Sequence, residues 1–206
     1  NCELKMEAGE ICGNTADSSG GGIFADCYQQ SPDSTKIIIS GGKITGNQTG
    51  AEATENAIAL MAYYEEEDPT ENTGYADLYL SGSPNIDSIL IGDAEEYGPK
   101  IVVTDAFTPA APILLKPTYG TAGRVAVSYG SEEAANANKT QFTKEYATTC
   151  GYKQDGANLI WTMRYRISFR TFTSFDPPQY TWDKCTLYVD DGETIAAEEL
   201  PQAETI

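Results

Sequence analysis

Two acidic stretches gather the oxygen ligands that calcium takes: "EEED" at 65–68, with Asp77 nearby, and "GDAEE" at 92–96. Hard cations need such carboxylates at fixed spacing, and neither stretch resembles the D-x-D-x-D-G loop or the Gly-Gly-x-Gly-x-Asp nonapeptide. Solvated charge runs account for both, so no metal and no cofactor is expected. Tyr63 and Tyr64 precede the first run, and Tyr75 and Tyr79 follow it. Their rings beside carboxylates would suit a neutral sugar or a protein surface; the plainer alternative is that one tyrosine of each pair faces the core.

Other chemistries lack parts. The 206 residues include no histidine, so there is no imidazole base, no histidine metal ligand and no Ser-His-Asp triad. A glycoside hydrolase needs two carboxylates roughly 5 to 10 Å apart across a groove. Here Glu7, Glu10 and Asp87 are scattered along the chain, and Lys5, Lys36 and Lys43 are sparse positive charge for a uronate lyase. The 31 acidic against 13 basic residues give a net charge of −18, which repels nucleic acid and anionic membrane surfaces. No apolar run approaches the roughly 20 residues of a membrane span, so membrane insertion is not expected. Five cysteines (Cys2, Cys12, Cys27, Cys150 and Cys185) fit no CxxC spacing. Cys2 and Cys27 could stack on neighbouring coils, although small buried fillers are the favoured reading.

The elements that would position these residues repeat. Sliding "LKMEAGEICGN" (4–14) forward by thirty-three positions lays Leu4 on Ile37, Met6 on Ile39, Gly9 on Gly42, Ile11 on Ile44, Gly13 on Gly46 and Asn14 on Asn47. Apolar residues alternate with Lys5, Glu7 and Glu10 as in half-buried strands. Gly20, Gly21 and Gly22 are expected to turn the chain at positive φ before Ile23 and Phe24 begin another strand. A looser third copy, "LYLSGSPNIDS", starts at Leu78 with one residue inserted and the final Gly-Asn missing. No single copy can bury its apolar face, so the copies must stack in parallel register about 4.8 Å apart. Leu4, Met6, Ile11, Ile37, Ile39, Ile44, Leu80 and Ile86 would then share one elongated core. Asn14 and Asn47 would lie above one another, either pairing their amides or each fitting a left-handed turn.

The string L-x-M-x-x-G-x-I-x-G-N-T-A-x-x-x-G-G-G-I, followed by I-S-G-G-K-I-T-G-N, resembles the right-handed parallel β-helix repeats of large surface proteins of gut-dwelling Gram-positive bacteria. The resemblance spans roughly residues 2 to 92. The second copy departs from it, with Glu55, Asn56 and Ala57 in place of the three glycines and an acidic excursion after them. Beyond Asp93, "KIVVT", "APILLKP", "GRVAVSYG" and "ANLIWTM" read as strands that close the open end of the coils. "SYGSEEAANANKTQF" resembles the Asn-rich lead into a strand found in such closures. From Met163, "MRYRISFRTF" alternates Tyr165, Ile167 and Phe169 against Arg164, Arg166, Ser168 and Arg170, and "CTLYVDDGETI" enters a turn at Asp190-Asp191-Gly192. This tail resembles part of the internalin-type β-grasp repeat, whose final Gly-Tyr and Gly-Trp elements it lacks.

The sequence thus predicts an all-β fold: a short right-handed parallel β-helix with its closing strands over 1–160, and a small β module over 161–206. The resemblance implies an extracellular or cell-surface location and a non-enzymatic structural or adhesive role toward a host or bacterial surface glycan or protein. The rival reading is a glycan-active enzyme, a polysaccharide lyase or hydrolase, or a carbohydrate-binding domain on the same scaffold. Fold alone licenses neither.

Overall fold

Branched aliphatic residues at alternate positions favour extended backbone, and glycines interrupt them at short intervals. The computed structural model describes residues 2–26, 35–50, 54–63, 74–92, 98–117, 122–144, 150–169, 172–175, 178–180 and 185–200, and these are accordingly mostly strands, with one short α-helix among them.

Three sheets whose strands pair in parallel line one apolar core, and a small fourth pairs Thr15–Ala16 in parallel with Gln48–Thr49. Sheet I orders Glu3–Met6, Thr35–Ile39, Gly74–Gly82, Ile101–Phe107 and Val125–Tyr129 side by side. Sheet II holds Glu10–Cys12, Lys43–Thr45 and Asn85–Ile86, and sheet III holds Ile23–Ala25, Ile58–Leu60, Ser88–Ile91, Ile113–Pro117 and Phe142–Lys144. The chain visits I, II and III in turn three times; the next two passes run from sheet I to sheet III without a sheet II strand, the last through the helix Glu132–Asn138.

The register is the one the repeat predicts. Leu4 lies opposite Ile37 and Met6 opposite Ile39, and these two isoleucines in turn face Leu78 and Leu80. In sheet II Ile11, Ile44 and Ile86 fall in one line. The residue inserted in the third copy is absorbed between the two sheets, so both ladders keep step. Ile37, Ile39, Ile44, Leu78, Leu80 and Ile86 are all at most 1% exposed. Burying a side chain of this size contributes about 1.5–3 kcal/mol, which the extended segments could not gain singly.

Leu4 is a correction. It holds the inward place opposite Ile37 yet stays 43% exposed, because Glu3–Met6 is the end strand of sheet I and nothing described stacks on its outer side. Ile11, in the same end circuit, is only partly buried against the core.

Parallel pairing also outruns the recognisable repeat. Leu78 faces Ile101 and Ile101 faces Val127 in sheet I, while Ile89 faces Leu115 and Ile113 faces Phe142 in sheet III. "KIVVT", "APILLKP" and "GRVAVSYG" therefore add further circuits instead of closing the stack. In the last circuit the helix Glu132–Asn138 occupies the stretch expected to be an Asn-rich lead. Ser131 caps it by accepting from the Ala134 amide at 3.1 Å, Glu132 and Glu133 complement its dipole, and Ala135 is buried in the common core.

Closure falls to antiparallel strands. Asn158–Phe169 pairs with Val125–Tyr129, with Cys150–Asp155 and, through its second half, with Cys185–Asp190. The expected boundary at 160/161 lies inside this one twelve-residue strand.

Two further expectations are corrected. Of the three consecutive glycines only Gly20 has positive φ; a Cβ on Gly21 would strike the Gln48 backbone, and one on Gly22 the Ala57 carbonyl, so close approach of strands demands them. Cys2 and Cys12 are exposed rather than buried fillers, both lying in the end circuit, and Cys150 is half-buried. Cys27 and the side chain of Cys185 lie outside the described residues.

Candidate functional site

The tyrosine cluster is built on the middle strand of sheet I. Ala62–Tyr63 pairs antiparallel with Gly74–Gly82, setting Ala62 opposite Tyr75 and Tyr63 opposite Gly74. Tyr64 and residues 65–73 lie outside the described residues. Ala76, Leu78 and Leu80 are fully buried, so the strand's alternation turns Tyr75, Asp77 and Tyr79 to the opposite face. Neither Tyr75 nor Tyr79 is a core residue; both are half-buried on the outer side of the sheet. Tyr79 stands in register between Ile38 and Val102, also half-buried, which makes an apolar row across three strands.

Asp77 is buried, 5% exposed. Its carboxylate accepts from the Lys100 amide at 3.2 Å and sits in register with Lys36, and burial pushes its pKa up. "EEED" and most of "GDAEE" (93–96) fall outside the described residues, among which no three metal-binding side chains come together. Asp87 accepts from the Gly46 amide at 2.7 Å, and Glu7 pairs with Lys5 at 2.7 Å. Each of these carboxylates is engaged in its own local contact.

A second site was not anticipated. Asp190, with 1% of its side chain exposed, lies where the last strand of sheet III meets the closing strands. Its Oδ2 is in contact with Lys144 Nζ, and Arg164, its register partner, places Nε 3.1 Å from Oδ1. Glu193 closes the group: its Oε2 accepts from the Asp190 amide at 3.0 Å, and its Oε1 lies 3.6 Å from Lys144 Nζ. A Cβ on Gly151 would run into the Asp190 carboxylate, so glycine is required there. Tyr152 donates its hydroxyl to the Phe142 carbonyl at 2.8 Å, and burial pushes that phenol up to about 12. Burial also pushes the Lys144 ammonium down, against the opposing charge of Glu193.

At Arg164 the expected alternation places the charged side chain on the inner face. Its side chain is 6% exposed while Tyr165 is 51% exposed, because the buried Asp190 opposite draws the guanidinium inward. The signals in the sequence were the arginines on an alternating strand and the Asp-Asp-Gly turn, but nothing local named Lys144 as their partner. Beside this group a cleft of ≈ 390 Å³ opens between Leu187, Tyr188, Ile195 and Glu199, with Glu193 on its wall. The Arg164 guanidinium lies 5.7 Å from the Tyr188 ring.

No family model matches the chain, and no curated protein or solved structure matches it.

Proposed function

We propose that the chain is a non-enzymatic structural or adhesive module of a bacterial surface protein, built as a short parallel β-helix closed at one end by antiparallel strands. The observation that carries this reading is the line of register through Ile11, Ile44 and Ile86, repeated by Met6, Ile39 and Leu80 in the neighbouring sheet. A chain that returns to equivalent places in successive circuits makes a rod whose length grows with the number of circuits, as a spacer requires. Right-handedness follows the strong preference of parallel crossovers.

Adhesion is assigned to the outer face of sheet I. Tyr75 and Tyr79 present ring faces there beside the apolar row of Ile38 and Val102, a flat surface suited to a neutral glycan or a protein. Net charge argues against acidic polymers as partners. The test is a glycan array probed with wild type and with the Tyr75→Ala/Tyr79→Ala double variant, alongside product assays on acidic and neutral polysaccharides with and without calcium. Binding that the double variant loses, without product release, is expected. Unsaturated or reducing-end products above a heat-inactivated control would establish the enzyme instead.

A further inference from the structure

We propose that Lys144 and Asp190 become joined by an amide bond between Lys144 Nζ and Asp190 Cγ, formed by the folded protein itself. The two residues lie 46 positions apart, and only folding brings them together. Once there, the amine and the carboxyl are held in contact in a site that excludes water from the carboxyl side, the condition under which an intramolecular reaction gains most. A plain surface ion pair needs none of the other groups present. Glu193 lies within reach of the ammonium, Arg164 Nε stands against the oxygen that remains on the product, and Gly151 leaves room for the carboxylate.

The chemistry balances without an added reagent. Glu193 takes a proton from the Lys144 ammonium, and the freed nitrogen lone pair attacks Asp190 Cγ. Negative charge gathers on Oδ1, where the Arg164 guanidinium stabilises it. Oδ2 leaves as water, carrying the proton returned by Glu193 and a second one from the attacking nitrogen. One ammonium and one carboxylate become one amide and one water, with no net uptake or release of protons. Burial assists by favouring the uncharged amine over the ammonium. The product ties Cys185–Asp190, with the turn after it, to the last strand of sheet III by a covalent bridge.

Intact mass of the purified, denatured chain is the direct test. The expected value is lower than the sequence mass by one water, and a tryptic digest should contain a branched peptide joining the Lys144 and Asp190 segments. Lys144→Ala and Asp190→Ala should each return to the mass calculated from their sequences, and Glu193→Gln should leave most chains unbridged. Asp155-Gly156 and Asp191-Gly192 can also lose water by forming a succinimide. A loss that persists in Lys144→Ala, or that hydroxylamine reverses, would therefore overturn the proposal. So would the full sequence mass in wild-type protein after prolonged incubation; this readout does not depend on any variant folding.

Discussion

Asn47 illustrates how much a single residue type and its spacing can disclose. It is fully buried, its Oδ1 accepts from Asn14 Nδ2 at 2.9 Å and from the Asn14 amide at 3.1 Å, and its Nδ2 donates to the Ile11 carbonyl at 2.7 Å. Of the two roles open to it in the sequence, the pairing of side-chain amides is present, and Gly46 beside it takes a positive φ. Asn47→Ala leaves the Ile11 carbonyl and the Asn14 amide without that partner, so a loss of roughly 1–3 kcal/mol is expected in denaturant unfolding. Tyr152 gives a pH-dependent counterpart. Its folded pKa is raised from 10.0 to about 12, so the unfolded chain releases the proton more readily. The stabilisation is whole below pH 10.0 and is lost as pH rises toward about 12. Tyr152→Phe should flatten part of that alkaline decline, at most about 1.4 kcal/mol per pH unit. An alkaline profile identical to wild type would show that another group controls it. Asp190 and Lys144 could not be paired from sequence, because their proximity depends on how two distant strands are docked.

At the scale of elements, the strands with a period-two pattern and glycine stops were legible, and their register followed from the thirty-three-residue offset. The helix Glu132–Asn138 was not, since "EEAANAN" offers only small apolar residues and a single buried contact at Ala135. Leu4 shows the other limit: periodicity gives the direction of a side chain, while its burial depends on whether a neighbouring strand covers it. Close packing between circuits predicts a sharp effect at Gly41. A Cβ there would press on the Glu7 carbonyl, so Gly41→Ala should cost about 1–3 kcal/mol by overpacking, read as a lower denaturant midpoint. The hairpin partnering of Tyr63 with Gly74 predicts the opposite for the connection between them. Replacing 64–73 with a short Asn-Gly turn should leave the melting temperature within a few degrees of wild type. Any surface binding should fall with it if that connection belongs to the adhesive face.

Over the whole molecule, the proposed function needs successive parallel strands to support one another along one core, with the antiparallel strands at one end of it. Composition indicated the exclusions, with no histidine and a charge of −18, but it could not identify a ligand, because a flat aromatic face recognises many. The most direct measurement is residue-resolved hydrogen exchange under native conditions. If the circuits form a single stack, the amides of Ile39, Ile44, Leu80 and Val103 should exchange only through large-scale opening, at similar free energies. Those of Glu3–Met6, the end strand of sheet I among the described residues, should exchange orders of magnitude faster. Fast exchange at Ile44, or widely different opening energies for neighbouring strands of one sheet, would contradict the stacked rod and the function proposed for it.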